Sequence, residues 1–234
     1  MTVLVVSNID LTTNLQVMKP ATFLESTIKE ATLNISHEYR YLKTGYYVSM
    51  HAEILGNRVI PSCENIIDSS RTPILLLRAA KAGVPTLPVV VTDSVKKIIN
   101  ELGFPVLLFA VNPFIYDGYK VACNKSALYR AMKSLGMNYK FAVCAQPIKG
   151  ELFSFKTFFG KTTDMDLQAQ KIAEKVYETF RIPLCKLYIQ KTVDKAYLCG
   201  LQPVSREELS EKDLKVISKE VSLISEQGEP FGVG

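Results

Sequence analysis

The side chains best suited to hold a ligand lie together in His37-Glu38-Tyr39-Arg40-Tyr41-Leu42-Lys43, with Tyr46 and Tyr47 following at once. An imidazole, a guanidinium and an ammonium group stand here among four tyrosines. They supply enough donors for an anion or a carboxylate-bearing ligand. The stretch follows the apolar run Thr32–Ser36; if that run is a parallel strand, its C-terminal end is where open α/β sheets take ligands. The candidate ligand-binding residues are therefore His37, Arg40, Tyr41, Lys43 and Tyr46. A packing alternative uses the same residues: Tyr41, Tyr46 and Tyr47 form a half-buried platform, and Arg40 pairs with Glu38 or Glu53.

Other chemistry is sparser. Cys63 could act as a nucleophile only with a base beside it, and otherwise reads as a buried thiol. His51, within a helical stretch, reads as a packing or surface residue. Lys156, Lys161 and Lys186 could make a phosphate patch, or simply a solvated face. Five widely spaced cysteines (63, 123, 144, 185 and 199) contain no CxxC pair, so neither zinc nor a redox couple is suggested. They fit small buried side chains in a reducing cytosol, and the expected location is cytoplasmic.

The net charge of +5 comes from 28 basic and 23 acidic residues that are interleaved rather than clustered, which argues against a nucleic-acid partner. No run reaches the roughly 18 apolar residues of a membrane span. Residues 1–8 are apolar but too short for a signal peptide. With 47% apolar and 22% charged residues, the 234-residue chain has a globular composition and length for one large domain or several small lobes.

The elements that must position these groups fall into three units. Over residues 1–70, strands at Thr2–Ser7, Leu15–Met18, Thr32–Ser36 and Arg58–Pro61 alternate with helices from Pro20 to Glu30 and Lys43 to Leu55, predicting a parallel, doubly wound sheet. Over 71–150, helices at 72–82, from Ser94 to Leu102 and at Ser126–Leu135 accompany strands at Val89–Thr92, Val106–Val111, Lys120–Cys123 and Lys140–Ala145. Over 151–234, a strand at Leu152–Phe159 precedes the amphipathic helix Asp166–Phe180, strands Leu184–Gln190 and Ala196–Leu201, and a charged helix from Leu209.

Several segments together resemble one family. His37–Glu53, with Gly45-Tyr46-Tyr47-Val48-Ser49 at its centre, is followed by Arg58-Val59-Ile60-Pro61-Ser62 and is similar to the N-terminal (RLAN) domain of RimK-like ATP-grasp ligases. Leu4–Asn8, Phe155–Lys161 and Leu198–Pro203 fit the same family. Residues 71–150 are similar to the first lobe of an ATP-grasp fold. The resemblance implies a pre-ATP-grasp (Rossmann-like) parallel sheet followed by a reduced, ATP-grasp-like α+β pair of lobes. It also implies kinship with enzymes that join a carboxylate to an amine through an acyl phosphate.

Such chemistry needs cations over the ATP phosphates, a glycine-rich loop and carboxylates for Mg²⁺. Matched to the family, the first-strand lysine position is Phe109 and the hinge carboxylate position is Gln146. The metal-binding Asp falls near Leu187, and the Glu-x-Asn pair falls on Gly200 and Gln202. The loop Asn112–Gly118 is bulky, with one glycine. No cofactor is therefore expected. The leading reading is a non-catalytic module that binds a RimK-like ligase or a peptide. The alternatives are an unconventional MgATP-dependent ligase using Arg40, Lys43 and Asp117, and a structural homodimer burying the aromatic stretch.

Overall fold

The computed structural model describes residues 2–111, 118–162 and 166–227. Strands β1 (Val3–Ser7), β2 (Val17–Met18), β3 (Ala31–Ile35) and β4 (Val59–Ile60) form a parallel sheet in the order β2-β1-β3-β4. The continuous apolar runs have their physical reason here, since Leu4, Val5, Val6 and Leu33 are wholly buried. Helices α1 (Pro20–Leu24), α2 (Thr44–Ile54), α3 (Cys63–Ser70) and α4 (Thr72–Lys81) complete this part. The first helix is shorter than the sequence suggests. Ser26 Oγ donates to the Phe23 carbonyl at 2.8 Å, a local bond that competes with another helical turn. Helix α3 was not anticipated; Ser62 starts it by accepting from the Asn65 amide at 3.2 Å.

The second sheet is antiparallel, in the order β5-β8-β6-β7, from β5 (Val90–Thr92), β6 (Val106–Ala110), β7 (Tyr119–Ala122) and β8 (Val143–Pro147). Helices α5 (Val95–Leu102), capped by Ser94, and α6 (Lys125–Leu135) pack on it. Together they enclose a separate core that includes Ile98, Leu108, Leu128, Met132 and Val143.

The third sheet, also antiparallel, runs β10-β9-β11-β12 from β9 (Glu151–Phe158), β10 (Lys161–Thr162), β11 (Leu184–Lys191) and β12 (Ala196–Gln202). Helix α7 (Leu167–Phe180) starts on the Asp166 carboxylate, which accepts from the amides of Gln168 and Ala169. A 3-10 turn at Arg206–Glu208 leads to α8 (Glu211–Gln227). Leu33, Ile35 and Leu75 share one core with Phe180, Leu187, Leu198 and Ile217, so the first and last parts of the chain are fused by a common apolar interior. Among the described residues no helix is long and apolar enough to cross a membrane.

Candidate functional site

A cleft of about 130 Å³ opens where the three sheets meet. Tyr39 and Arg40 reach it from the loop after β3, Ser70 from the end of α3, Phe109 from β6, and Gln202 from the end of β12. Three residues singled out from sequence, Arg40, Phe109 and Gln202, are thus brought together although they are far apart in the chain.

The wall between the second and third sheets is aromatic. Phe109 packs with Tyr119 and Tyr188 at centroid distances of 6.0 and 6.4 Å, and the two tyrosines stand 5.2 Å apart. Phe109 is buried to 3% exposure. Its ring lies over Gly200 so closely that a Cβ there would sit 2.7 Å from Cε1 and 2.8 Å from Cζ. Glycine is required at 200 because the phenyl ring occupies the space a side chain would take. Tyr188 donates its hydroxyl proton to Gln202 Oε1 at 2.7 Å, tying this aromatic group to the cleft.

Gln146 and Leu187 do not join the cleft. Gln146 is fully buried, with Nε2 donating to the Cys199 carbonyl at 2.8 Å, while its Oε1 has no partner among the described residues. Leu187 lies in the core shared by the first and third parts. Strand alternation puts its neighbour Tyr188 on the cleft face instead. Among the described residues no three of His, Cys, Asp and Glu come together as metal ligands. At these positions a ring and a glycine in contact fill the space and supply neither a cation nor a side-chain oxygen. The loop expected to cover the phosphates, apart from Gly118, lies outside the described residues, as does Asp117.

The His37–Tyr47 stretch divides into separate contacts. Asn8 Nδ2 donates to His37 Nδ1 at 2.9 Å. Arg40 pairs with Glu38. Tyr41 and Tyr46 meet edge-on at 5.2 Å, and Tyr46 meets Tyr47 at 5.9 Å. Burial, then the neighbouring Cys63, pushes the Tyr46 hydroxyl above its ordinary pKa. Lys43 is the residue before α2 and is half-buried. The ion pair and the tyrosine cluster are those of the packing alternative. Tyr39, which sequence reasoning left outside the site, both lines the cleft and anchors the loop. Its hydroxyl donates to the Asn34 carbonyl at 2.8 Å and accepts from the Ser36 amide at 2.9 Å.

The Gly-Tyr-Tyr-Val-Ser pattern has a mechanical explanation. A Cβ at Gly45 would overlap the Glu38 carbonyl. The buried Asn34 Nδ2 donates to the Gly45 carbonyl at 2.7 Å and to Ser49 Oγ at 2.9 Å, and the Ser49 hydroxyl donates to the Pro61 carbonyl at 2.7 Å. This polar network locks α2 onto the sheet from its buried side.

The three lysines considered as a phosphate patch are each engaged by an acid. Lys156 pairs with Asp213, Lys161 with Glu220 at 2.7 Å, and Lys186 with Glu208. These pairs fasten the 3-10 turn and α8 to the third sheet. Burial alone would raise the Asp213 carboxyl, but donors from Lys156 and Ser210 hold it below its usual range. Cys63 has a thiol pushed up to about 12 by burial and by Glu53, which makes it a poor nucleophile near neutrality.

The sequence profile of the RimK-like ATP-grasp N-terminal domain matches residues 21–220. No curated protein sequence matches the chain. Among solved structures, the D-alanine–D-alanine ligase of Bacillus anthracis is similar at a TM-score of 0.65 and 13% identity, covering 97% of this chain and 99% of that one. A RimK-domain ATP-grasp protein from Sphaerobacter thermophilus gives 0.64 at 15% identity, covering 93% and 97%. The ATP-grasp ligase PsnB, solved with a precursor variant, Mg and ADP, gives 0.64 at 11% identity, covering 97% of both chains. These likenesses establish the shared fold.

Proposed function

Since the chain belongs to the RimK-like ATP-grasp N-terminal domain family, we propose that it is a non-catalytic, ATP-grasp-like module of the cytoplasm. It binds a peptide or protein partner and works beside a RimK-like carboxylate–amine ligase in peptide or amino-acid modification. The observation that carries this reading is the contact of Phe109 with Gly200, which fills the space between the two antiparallel sheets with apolar atoms. All five cysteines are free, in keeping with a reducing compartment.

Calorimetry with ATP and magnesium tests the absence of nucleotide binding; no heat is expected at millimolar nucleotide. Micromolar, magnesium-dependent binding overturns the reading. Co-purification tests the partner: recovery of neither a ligase nor a peptide counts against it.

The polar lining of the cleft favours a second reading, an unconventional ATP-dependent carboxylate–amine ligase. Arg40, Ser70, Thr72 and Gln202 all border the same space. In that reading Arg40, Lys43 and Asp117 replace the missing phosphate and metal groups, and the same titration decides between the two.

A further inference from the structure

We propose that a groove of about 370 Å³ between α7 and the open edge of β12 docks an extended acidic peptide that carries apolar side chains. Pro85, Ile172, Ala196 and Tyr197 give the groove an apolar floor, and Lys171, Lys175 and Lys195 stand around it. No carboxylate of the described residues lines it. Lys175 Nζ donates to the Gly83 carbonyl at 3.2 Å, while Lys171 and Lys195 are exposed and form no ion pair among the described residues. Of the neighbouring acids, Asp166 pairs with Lys191 and Glu174 accepts from Gln170 at 2.7 Å, while Asp194 is exposed beside Lys195. An apolar floor lined by three ammonium groups, with a net positive charge, complements a segment that alternates apolar and carboxylate side chains.

The backbone points to the same occupant. β12 is an edge strand, and the Pro85 carbonyl accepts from the Leu198 amide at 2.9 Å, starting a parallel pairing through the bridge of Thr86 with Leu198. That pairing ends at once, because the chain turns away at Gly83, where φ is +79°. By the two-residue repeat of a strand, Ala196 turns its amide and carbonyl to the same side as Leu198, toward the groove. An extended peptide can add there as a further strand. The apolar surface continues beyond the groove: Leu167 is 77% exposed and Val193 fully exposed. Both lie at the end where Gln168 Nε2 donates to the Asp194 carbonyl at 3.1 Å.

The groove is distinct from the cleft. α7 covers the face of the third sheet that carries Leu187 and Ile189, and Tyr188 points from the opposite face toward Phe109. Failure of this proposal and failure of the non-catalytic reading are therefore separately observable, one in peptide binding and the other in nucleotide binding.

The test is fluorescence anisotropy of a labelled hexapeptide alternating glutamate and leucine, titrated with the full chain. Saturable, salt-sensitive binding is expected, weakened about tenfold by Lys171→Glu with Lys195→Glu and less by the corresponding glutamine pair. Lys133→Glu, an exposed change on α6, should leave binding intact. No saturable binding, or equal binding by the double variant, overturns the proposal. So does equal binding of a peptide with serine in place of leucine, since the apolar floor would then play no part. A dimer in sedimentation that the same double variant dissolves would assign the groove to a second copy and likewise overturn it.

Discussion

Gly200→Ala is the sharpest probe of the filled space between the sheets. The added methyl would sit 2.7 and 2.8 Å from two ring carbons of Phe109, closer than carbon atoms can approach. The ring cannot withdraw freely, because it is buried and the half-buried Tyr119 and Tyr188 stand 6.0 and 6.4 Å away. Overpacking of this kind costs about 1–3 kcal/mol. Loss of unfolded-state freedom at a glycine returns about 0.4–1 kcal/mol, since Gly200 does not sit at positive φ. The net expected loss is about 1–2 kcal/mol. With a urea slope of about 2 kcal/mol per M, the unfolding midpoint falls by about 0.5–1 M. Phe109→Leu shortens the ring side, so the double variant should recover at least half of the loss, a coupling of about 1 kcal/mol. A midpoint for Gly200→Ala at or above that of the parent, or strict additivity in the double variant, refutes the contact. The steric argument against a bound triphosphate would go with it.

Two further outcomes follow from the ion pairs and the thiols. Asp213→Ala removes the first-turn carboxylate that accepts from the Ser210 amide and hydroxyl and pairs with Lys156, and should cost about 1–2 kcal/mol at pH 7. The Asp213 carboxyl is depressed in the folded chain, so its contribution is complete above the ordinary carboxyl range near pH 4 and is lost as pH falls through the folded value. The gap between parent and variant in thermal melts should therefore close below about pH 4, and a constant gap contradicts the assignment. For the thiols, iodoacetamide at about pH 8 should label the exposed Cys123 and spare Cys63, whose thiolate forms only near 12. Glu53→Gln removes the charge that helps raise that thiol, so mass spectrometry should show Cys63 labelling faster; an unchanged rate refutes the role of Glu53.

Local signals carried much of the fold. The apolar runs of the parallel sheet, the Ser94 cap of α5 and the stripe of α7 are short-range patterns, legible because neighbouring residues alone decide them. Helix α3 also carries local signals, Ser62 as a cap and Glu64 in its first turn. What was not legible depends on partners distant in the chain. Residue types at 109 and 200 argued against phosphate and metal binding, but only the folded chain puts one ring over one glycine. Matching to the family put Leu187 on the cleft wall, whereas the alternation of β11 turns it into the core and brings Tyr188 forward. The pairing of the lysines at 156, 161 and 186, read from sequence as a solvated face or a phosphate patch, was not legible because their acids lie in the 3-10 turn and α8, more than twenty residues on in each case.

The apolar interior common to the first and last parts of the chain sets an order for synthesis on the ribosome. Strands β1 and β3 emerge early, yet the surface that covers Leu33 and Ile35 is completed by β11, β12 and α8, translated after the whole central segment. That central segment encloses its own core and can consolidate as it appears. The nascent first sheet must wait with an uncovered apolar face, and is the portion of the polypeptide that a chaperone would shelter until α8 has been made.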